Sequence, residues 1–155
     1  MVCKITTFCI LTNKILQFCK EKQQQLFVYF KYFNKFAHYK NFFIMKVQEL
    51  VDKLGLKVLS GASGLDREID GCYVSDLLSD VMGNADAGNV WITLQTHKNV
   101  MAVASLKEMA CIILVKNLSA NEDTLNQSNE EEIPILQTSM STYEVTGKVY
   151  CLLND

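Results

Sequence analysis

Two polar stretches hold the residues best suited to meet a ligand. The first is Gln95-Thr96-His97-Lys98-Asn99, between a short apolar run and a helical pattern. The second is Thr138-Ser139, followed by Ser141-Thr142. Each leads into a predicted helix. The first N–H groups of a helix lack partners within it and attract anions. His97 and Lys98 add positive charge, and Lys116 closes the strand expected beside them. Gln95, Thr96, His97, Lys98, Asn99, Lys116, Thr138, Ser139 and Thr142 therefore form a candidate site for a small phosphorylated or carboxylate ligand, or a nucleotide. The simpler reading makes the same residues polar caps that satisfy helix ends.

Other chemistry finds less support. A general base needs a nucleophile or a substrate proton within hydrogen-bond reach. No neighbour in sequence supplies one for His97, so a surface or capping histidine is the simpler reading. Past residue 44 His97 is the only histidine, and no Cys-x-x-Cys pair occurs. No metal site and no cofactor are expected. Ser60-Gly-Ala-Ser-Gly64 looks like a phosphate loop only on the surface, because it lacks the Gly-Lys-Ser/Thr that opens a helix. Cys72, Cys111 and Cys151 stand singly and read as small buried hydrophobes in a reducing, cytoplasmic setting. Glu130, Glu131 and Glu132 end a predicted helix, where its dipole disfavours them, and read as a solvated face.

These loops must be positioned by the stretch Val90–Val115. It reads as a short apolar run, VWITL, then a helix-spaced segment containing Val100, Val103, Ala104 and Met109, then a second apolar run, CIILV. Continuous β-branched runs suit strands buried on both faces. Strand, helix and strand make one βαβ crossover joining two parallel strands. Around it the spacing predicts a helix over 46–54, strands over 56–59 and 68–74, and a short helix through Met82 capped by Ser75 or Asp76. It further predicts a helix from Ala120 to Glu131 capped by Ser119, a strand over 133–136 and a closing helix over 142–153. Gly71 signals a bulge or a close backbone approach. The expected fold is α/β: a three-layer α/β/α arrangement, with a mostly parallel sheet and helices on both faces. In such sheets ligands sit outside the carboxyl ends of the strands, where both polar stretches fall.

Composition divides the chain near residue 44. Residues 1–44 hold seven lysines and one acid, a net +6; residues 45–155 hold eight basic and sixteen acidic residues, a net −8, which together give the chain's −2. All eight phenylalanines precede residue 44, and all seven glycines follow residue 54. A secretory signal fits poorly, because Lys14 interrupts the apolar region and no small-residue cleavage site follows. A spanning helix needs about 20 apolar residues, and lysines cut every run here shorter. Three readings stay open for 1–44: upstream sequence that precedes a true start at Met45, an amphipathic helix lying on a membrane surface, or a folded extension. We expect 1–44 to be an extension outside the domain and 45–155 to be the domain. The negative charge of 45–155 argues against nucleic acid as a partner.

Three stretches of 45–155 carry a family resemblance. They are Leu65-Asp-Arg-Glu-Ile-Asp-Gly-Cys-Tyr-Val-Ser-Asp-Leu-Leu78, the βαβ of Val90–Val115, and Ile133-Pro-Ile-Leu-Gln-Thr138 with Ser141-Thr-Tyr-Glu144. Together they resemble the DRTGG domain. That domain occurs as a small stand-alone protein and as a module of phosphotransacetylases and CBS-type pyrophosphatases, and it is related to the N-terminal domain of HPr serine kinase/phosphorylase. Gln95-Thr96-His97 stands where the family tends to carry Asp-Arg, and Val115-Lys116-Asn117 where it tends to carry Thr-Gly-Gly.

The resemblance implies a non-catalytic regulatory or interaction module that forms a homodimer or docks on a protein partner, and that senses a small anionic or nucleotide ligand. The alternative is a small enzyme of phosphoryl or acyl transfer that uses the Gln95–Asn99 loop.

Overall fold

The computed structural model describes residues 45–154. The expectations for 1–44 lie outside the described residues. The elements run β1 (Met45–Lys46), α1 (Val47–Leu54), β2 (Lys57–Ser60), a 3-10 turn (Ala62–Gly64), β3 (Glu68–Ile69), β4 (Gly71–Val74) and α2 (Leu78–Asn84). They continue with β5 (Asn89–Thr93), α3 (Asn99–Leu106), β6 (Cys111–Leu114), α4 (Glu122–Glu130), β7 (Ile135–Gln137) and α5 (Thr142–Asn154).

Five strands form the main sheet in the order β2-β7-β6-β5-β4. The pairs β4–β5, β5–β6 and β6–β7 are parallel, and β2 adds antiparallel to β7 at one edge. The expected α/β class is thus observed. All residues of β5 and β6 are buried, which is why their sequences show no alternation. Their side chains nevertheless sort by parity. Val90, Ile92, Cys111, Ile113 and Leu136 face a core closed by Val47 and Leu50 of α1 and Val145 and Val149 of α5. Trp91, Ile112, Leu114 and Ile135 face a second core with Val81 of α2 and Val100, Met101 and Ala104 of α3. Helices therefore cover both faces.

Three helices stop alike. At the end of α1, Gly55 is left-handed (φ 62°) and the Leu56 N–H reaches back to the Val51 carbonyl at 3.1 Å. At the end of α3, Glu108 takes that conformation (φ 51°) and Met109 donates to Ala104 at 2.9 Å. Past α4, Glu132 (φ 55°) plays the same part, with Ile133 donating to Ser128 at 3.1 Å. Such a reversal satisfies the last free carbonyls, and glycine adopts it most cheaply. It ends α3 before Met109, although the helical spacing runs on.

Several boundaries differ from expectation. The strand predicted over 68–74 is two strands. β3 pairs antiparallel with β1 in a separate two-stranded sheet, whereas β4 pairs with β5. Asp70 lies between them and donates its N–H to Gly88 at 3.0 Å, so the chain changes partners there. Ser75 and Asp76 do not cap α2; Leu77 occupies that position without a side-chain cap, and Gly83-Asn84 is still helical. α4 starts at Glu122 behind Asn121, not behind Ser119. Its inward face is Thr124 and Ser128, both buried, with Leu125 half-buried. The strand predicted over 133–136 is Ile135–Gln137, because the Ile133 N–H is already used by the helix stop.

Two expectations about glycines have a physical outcome. A Cβ on Gly61 would lie 2.5 Å from the Ile133 carbonyl oxygen, and one on Gly64 would lie 2.0 Å from that of Glu132. The Gly61 N–H donates to Asn129 Oδ1 at 2.7 Å. The Ser60–Gly64 turn is therefore packed against the strand approach at 132–134. Gly71 is the first residue of β4, without a bulge, and a Cβ there would lie 2.6 Å from Asn89 Oδ1, so what comes close is a side chain and not backbone.

Candidate functional site

Three loops leave the carboxyl ends of the adjacent parallel strands β5, β6 and β7, and every candidate residue lies on them or at the first turn of the following helix. After β5, the Gln95 N–H bonds to Thr93 Oγ1 at 3.1 Å, and the Thr96 carbonyl accepts from the Thr124 hydroxyl of α4 at 3.5 Å. The backbone then curls into α3, with Val100 donating to His97 at 2.9 Å and Met101 to Lys98 at 3.1 Å. Gln95 and Thr96 are half-buried; His97, Lys98 and Asn99 are exposed. α3 begins without a side-chain cap, so the polar residues here are not helix caps.

After β6, Lys116 and Asn117 are both left-handed (φ 55° and 56°). Their N–H groups donate to Met140 at 3.1 Å and to Thr138 at 2.8 Å. The Gln137 side-chain amide donates to the carbonyls of Asn117 at 3.1 Å and Leu118 at 3.0 Å. The β6 and β7 loops are thus laced together, which leaves the Lys116 side chain exposed.

After β7 the polar residues do cap. Thr138 is buried, and its hydroxyl accepts the Met140 N–H at 3.2 Å. Ser141 and Glu144 form a reciprocal capping box: the Ser141 N–H and hydroxyl bond to Glu144 Oε2 at 2.9 and 2.8 Å, and the Glu144 N–H bonds to Ser141 Oγ at 3.3 Å. Ser141 N–H, then its hydroxyl, hold the Glu144 carboxyl below its ordinary value. The Thr142 carbonyl accepts from Thr146. Ser141 therefore caps α5, Thr138 closes the turn before it, Thr142 opens the helix, and no side chain caps α3 at the Gln95–Asn99 loop. Ser139 is exposed between the two.

Asp76 is a residue of this sheet end that the sequence reading assigned elsewhere. It follows β4, and its carboxylate accepts from Thr93 Oγ1 at 2.8 Å and from the Leu94 N–H at 2.7 Å. Next to it, the Ser75 carbonyl accepts from Trp91 Nε1 at 2.8 Å. The signal available in sequence was its place, an acid at the carboxyl end of a strand. Further along, Asp80 accepts from the Tyr73 hydroxyl at 2.9 Å and from Asn84 Nδ2 at 2.9 Å. Hydrogen bonding by Ser75, then by Tyr73 and Asn84, lowers the Asp80 carboxyl.

Of the three cysteines expected to be buried, Cys111 is buried, Cys72 is half-buried and Cys151 is exposed. Burial pushes Cys72 up to about 11 and raises Cys111 further. The two flank Val90 on neighbouring strands. Among the described residues, no group of three His, Cys, Asp or Glu side chains is placed to hold a metal. No helix among them is long and apolar enough to cross a membrane. A groove of about 480 Å³ runs between α1 and α5, lined by Lys53, Leu54, Tyr143, Glu144, Gly147, Lys148, Cys151 and Leu152. Its only residue in the loop network above is Glu144.

Comparison with solved structures supports the same architecture. The CBS and DRTGG domains of the regulatory region of Clostridium perfringens pyrophosphatase, complexed with the activator diadenosine tetraphosphate, superpose with a TM-score of 0.56 at 10% identity. The match covers 67% of this chain and 45% of that one, so the present chain spans less than half of that region. At this identity the likeness speaks for the fold. No curated protein matches the chain. The model of the DRTGG domain matches residues 49–151, which takes in every element from within α1 into α5 and all three loops, so the chain belongs to the DRTGG domain family.

Proposed function

We propose that this chain is a non-catalytic regulatory module that binds a small anionic ligand, a nucleotide by preference, at the carboxyl ends of β5 and β6. In the pyrophosphatase, the DRTGG domain belongs to the regulatory region. The observation that carries the reading is the pairing of an uncapped helix start at Gln95–Asn99 with exposed His97, Lys98 and Lys116 on neighbouring strand ends. The positive end of a helix and cationic side chains at one sheet end suit phosphate. The pyrophosphatase region offers a nucleotide precedent, because its structure holds diadenosine tetraphosphate. We infer further that the module acts as a homodimer or on a protein partner. Three free cysteines among the described residues suit a reducing, cytoplasmic location. Kinship with the N-terminal domain of HPr serine kinase/phosphorylase, and a domain confined to 45–155, belong to the same proposal.

A thermal-shift screen of the chain tests it, with adenine and guanine nucleotides, diadenosine tetraphosphate, cyclic dinucleotides, acetyl phosphate and sugar phosphates. Binding to the folded state alone adds RT ln(1 + [L]/Kd), or about 2.7 kcal/mol at 100 times Kd. A selective shift lost in Lys98→Ala supports the reading. A flat panel moves the function to protein–protein contact.

A further inference from the structure

The two edges of the main sheet are not alike. β2 is guarded, since its register with β7 breaks between Val58 and Ser60 and Lys57 is exposed on it. Bulges and lysines are the usual devices that keep an edge from pairing. β4 has neither. Gly71-Cys72-Tyr73-Val74 holds an unbroken register with β5, contains no charge and no proline, and has no further strand beside it among the described residues. Val74 is 40% exposed at its end, with Leu77 at 63% and Leu94 at 36% in the loops that follow β4 and β5.

The charge along this edge is negative. Lys46 lies opposite Glu68 and pairs with Asp66 at 3.1 Å, whereas Asp70, Asp76, Asp80 and Asp86 share residues 70–86 with no lysine or arginine. Arg67 donates to the Glu132 carbonyl at 3.1 Å, on the β7 side of the sheet. An antiparallel second copy of β4 would bring Asp70 of one chain near Asp76 of the other. Like charges placed so disfavour that pairing.

We propose that β4 is a docking edge for an extended, basic segment of a partner protein, which adds to the sheet as a sixth strand. Main-chain hydrogen bonds supply the affinity, and lysine or arginine side chains answer the surrounding acids. The proposal is independent of any ligand at the strand ends.

The probe is a fluorescein-labelled octapeptide of alternating lysine and valine, titrated against the full chain by anisotropy. Saturable binding is expected with Kd below about 1 mM. It weakens with salt, is lost when alternate peptide nitrogens are methylated, and falls at least about tenfold in Val74→Lys. Val74→Thr, which keeps the β-branched shape, binds like the parent. Equal binding of a glutamate–valine peptide, or indifference to methylation, overturns the proposal. So does the absence of saturable binding. Self-association of the parent chain that Val74→Lys abolishes would assign the edge to a second copy and also overturn it.

Discussion

The Asp76 carboxylate holds the buried Thr93 hydroxyl at 2.8 Å, tying the loop after β4 to the last residue of β5. The same carboxylate fixes the Leu94 N–H, so one side chain sets where the Gln95–Asn99 loop begins. Asp76→Ala leaves the Thr93 proton and the Leu94 N–H without this acceptor. A loss of about 1–2 kcal/mol is expected from the unmade bonds, because Asp76 itself is exposed and water partly replaces it. Chemical denaturation measures this, with Trp91, the chain's single tryptophan, as the fluorescent reporter. Asp76→Asn keeps an acceptor and should lose less.

A second polar link lies inside the fold. Ser60 donates to Ser128 at 2.8 Å, and Ser128 donates to the Ile133 carbonyl at 2.7 Å. Both serines are buried. Ser128→Ala breaks the chain in the middle and strands the Ser60 hydroxyl away from water, which costs about 1–3 kcal/mol. The unfolding midpoint in urea should fall with an unchanged slope.

Glu132 is a non-glycine residue in the left-handed region. That conformation costs an L-residue about 1–2 kcal/mol, against which glycine's extra freedom in the unfolded chain takes back about 0.4–1 kcal/mol. Glu132→Gly should therefore raise stability, by about 0.5–1 kcal/mol on these two figures. It also relieves the run of three glutamates. A fall in the thermal midpoint would show that the side chain has a role beyond the turn.

The capping box predicts a pH dependence. Glu144 is held below its ordinary value of 4.5 by Ser141. A depressed folded value means that the carboxylate favours the folded state. This contribution is complete above the unfolded value and is lost as pH falls through the folded one. The start of α5 should loosen between about pH 4.5 and the lower folded value, as amide exchange at Ser141–Val145 reads. In Glu144→Gln that step should be missing, while the rest of the acid transition stays.

The fold was legible where burial is continuous. Val90–Val115 shows its strands and crossover because both faces of β5 and β6 are buried and α3 carries apolar residues at helical spacing. The split of 68–74 was hidden, since a strand that changes partners at Asp70 has no local signature. Asp76 looked like a helix cap because acids before a helix usually are, and only the register of β4 against β5 brings it to Thr93. At the candidate site, residue type and the strand-end rule point to His97, Lys98 and Lys116, which lie exposed on the loops after β5 and β6. The division between a capped α5 and an uncapped α3 was not readable, because both starts offer the same polar residues. Whether they bond to the backbone is decided by loop conformation, including the two left-handed residues at 116 and 117.

The most direct test is calorimetric titration of the chain with ADP and with diadenosine tetraphosphate, repeated on a Lys98→Ala, Lys116→Ala double variant. The account predicts saturable binding to the parent, weakened at least about tenfold in the variant, or 1.4 kcal/mol, with the thermal midpoint of the unliganded protein unchanged. Binding of equal strength in parent and variant, or no heat from either nucleotide, would contradict a nucleotide site at the ends of β5 and β6.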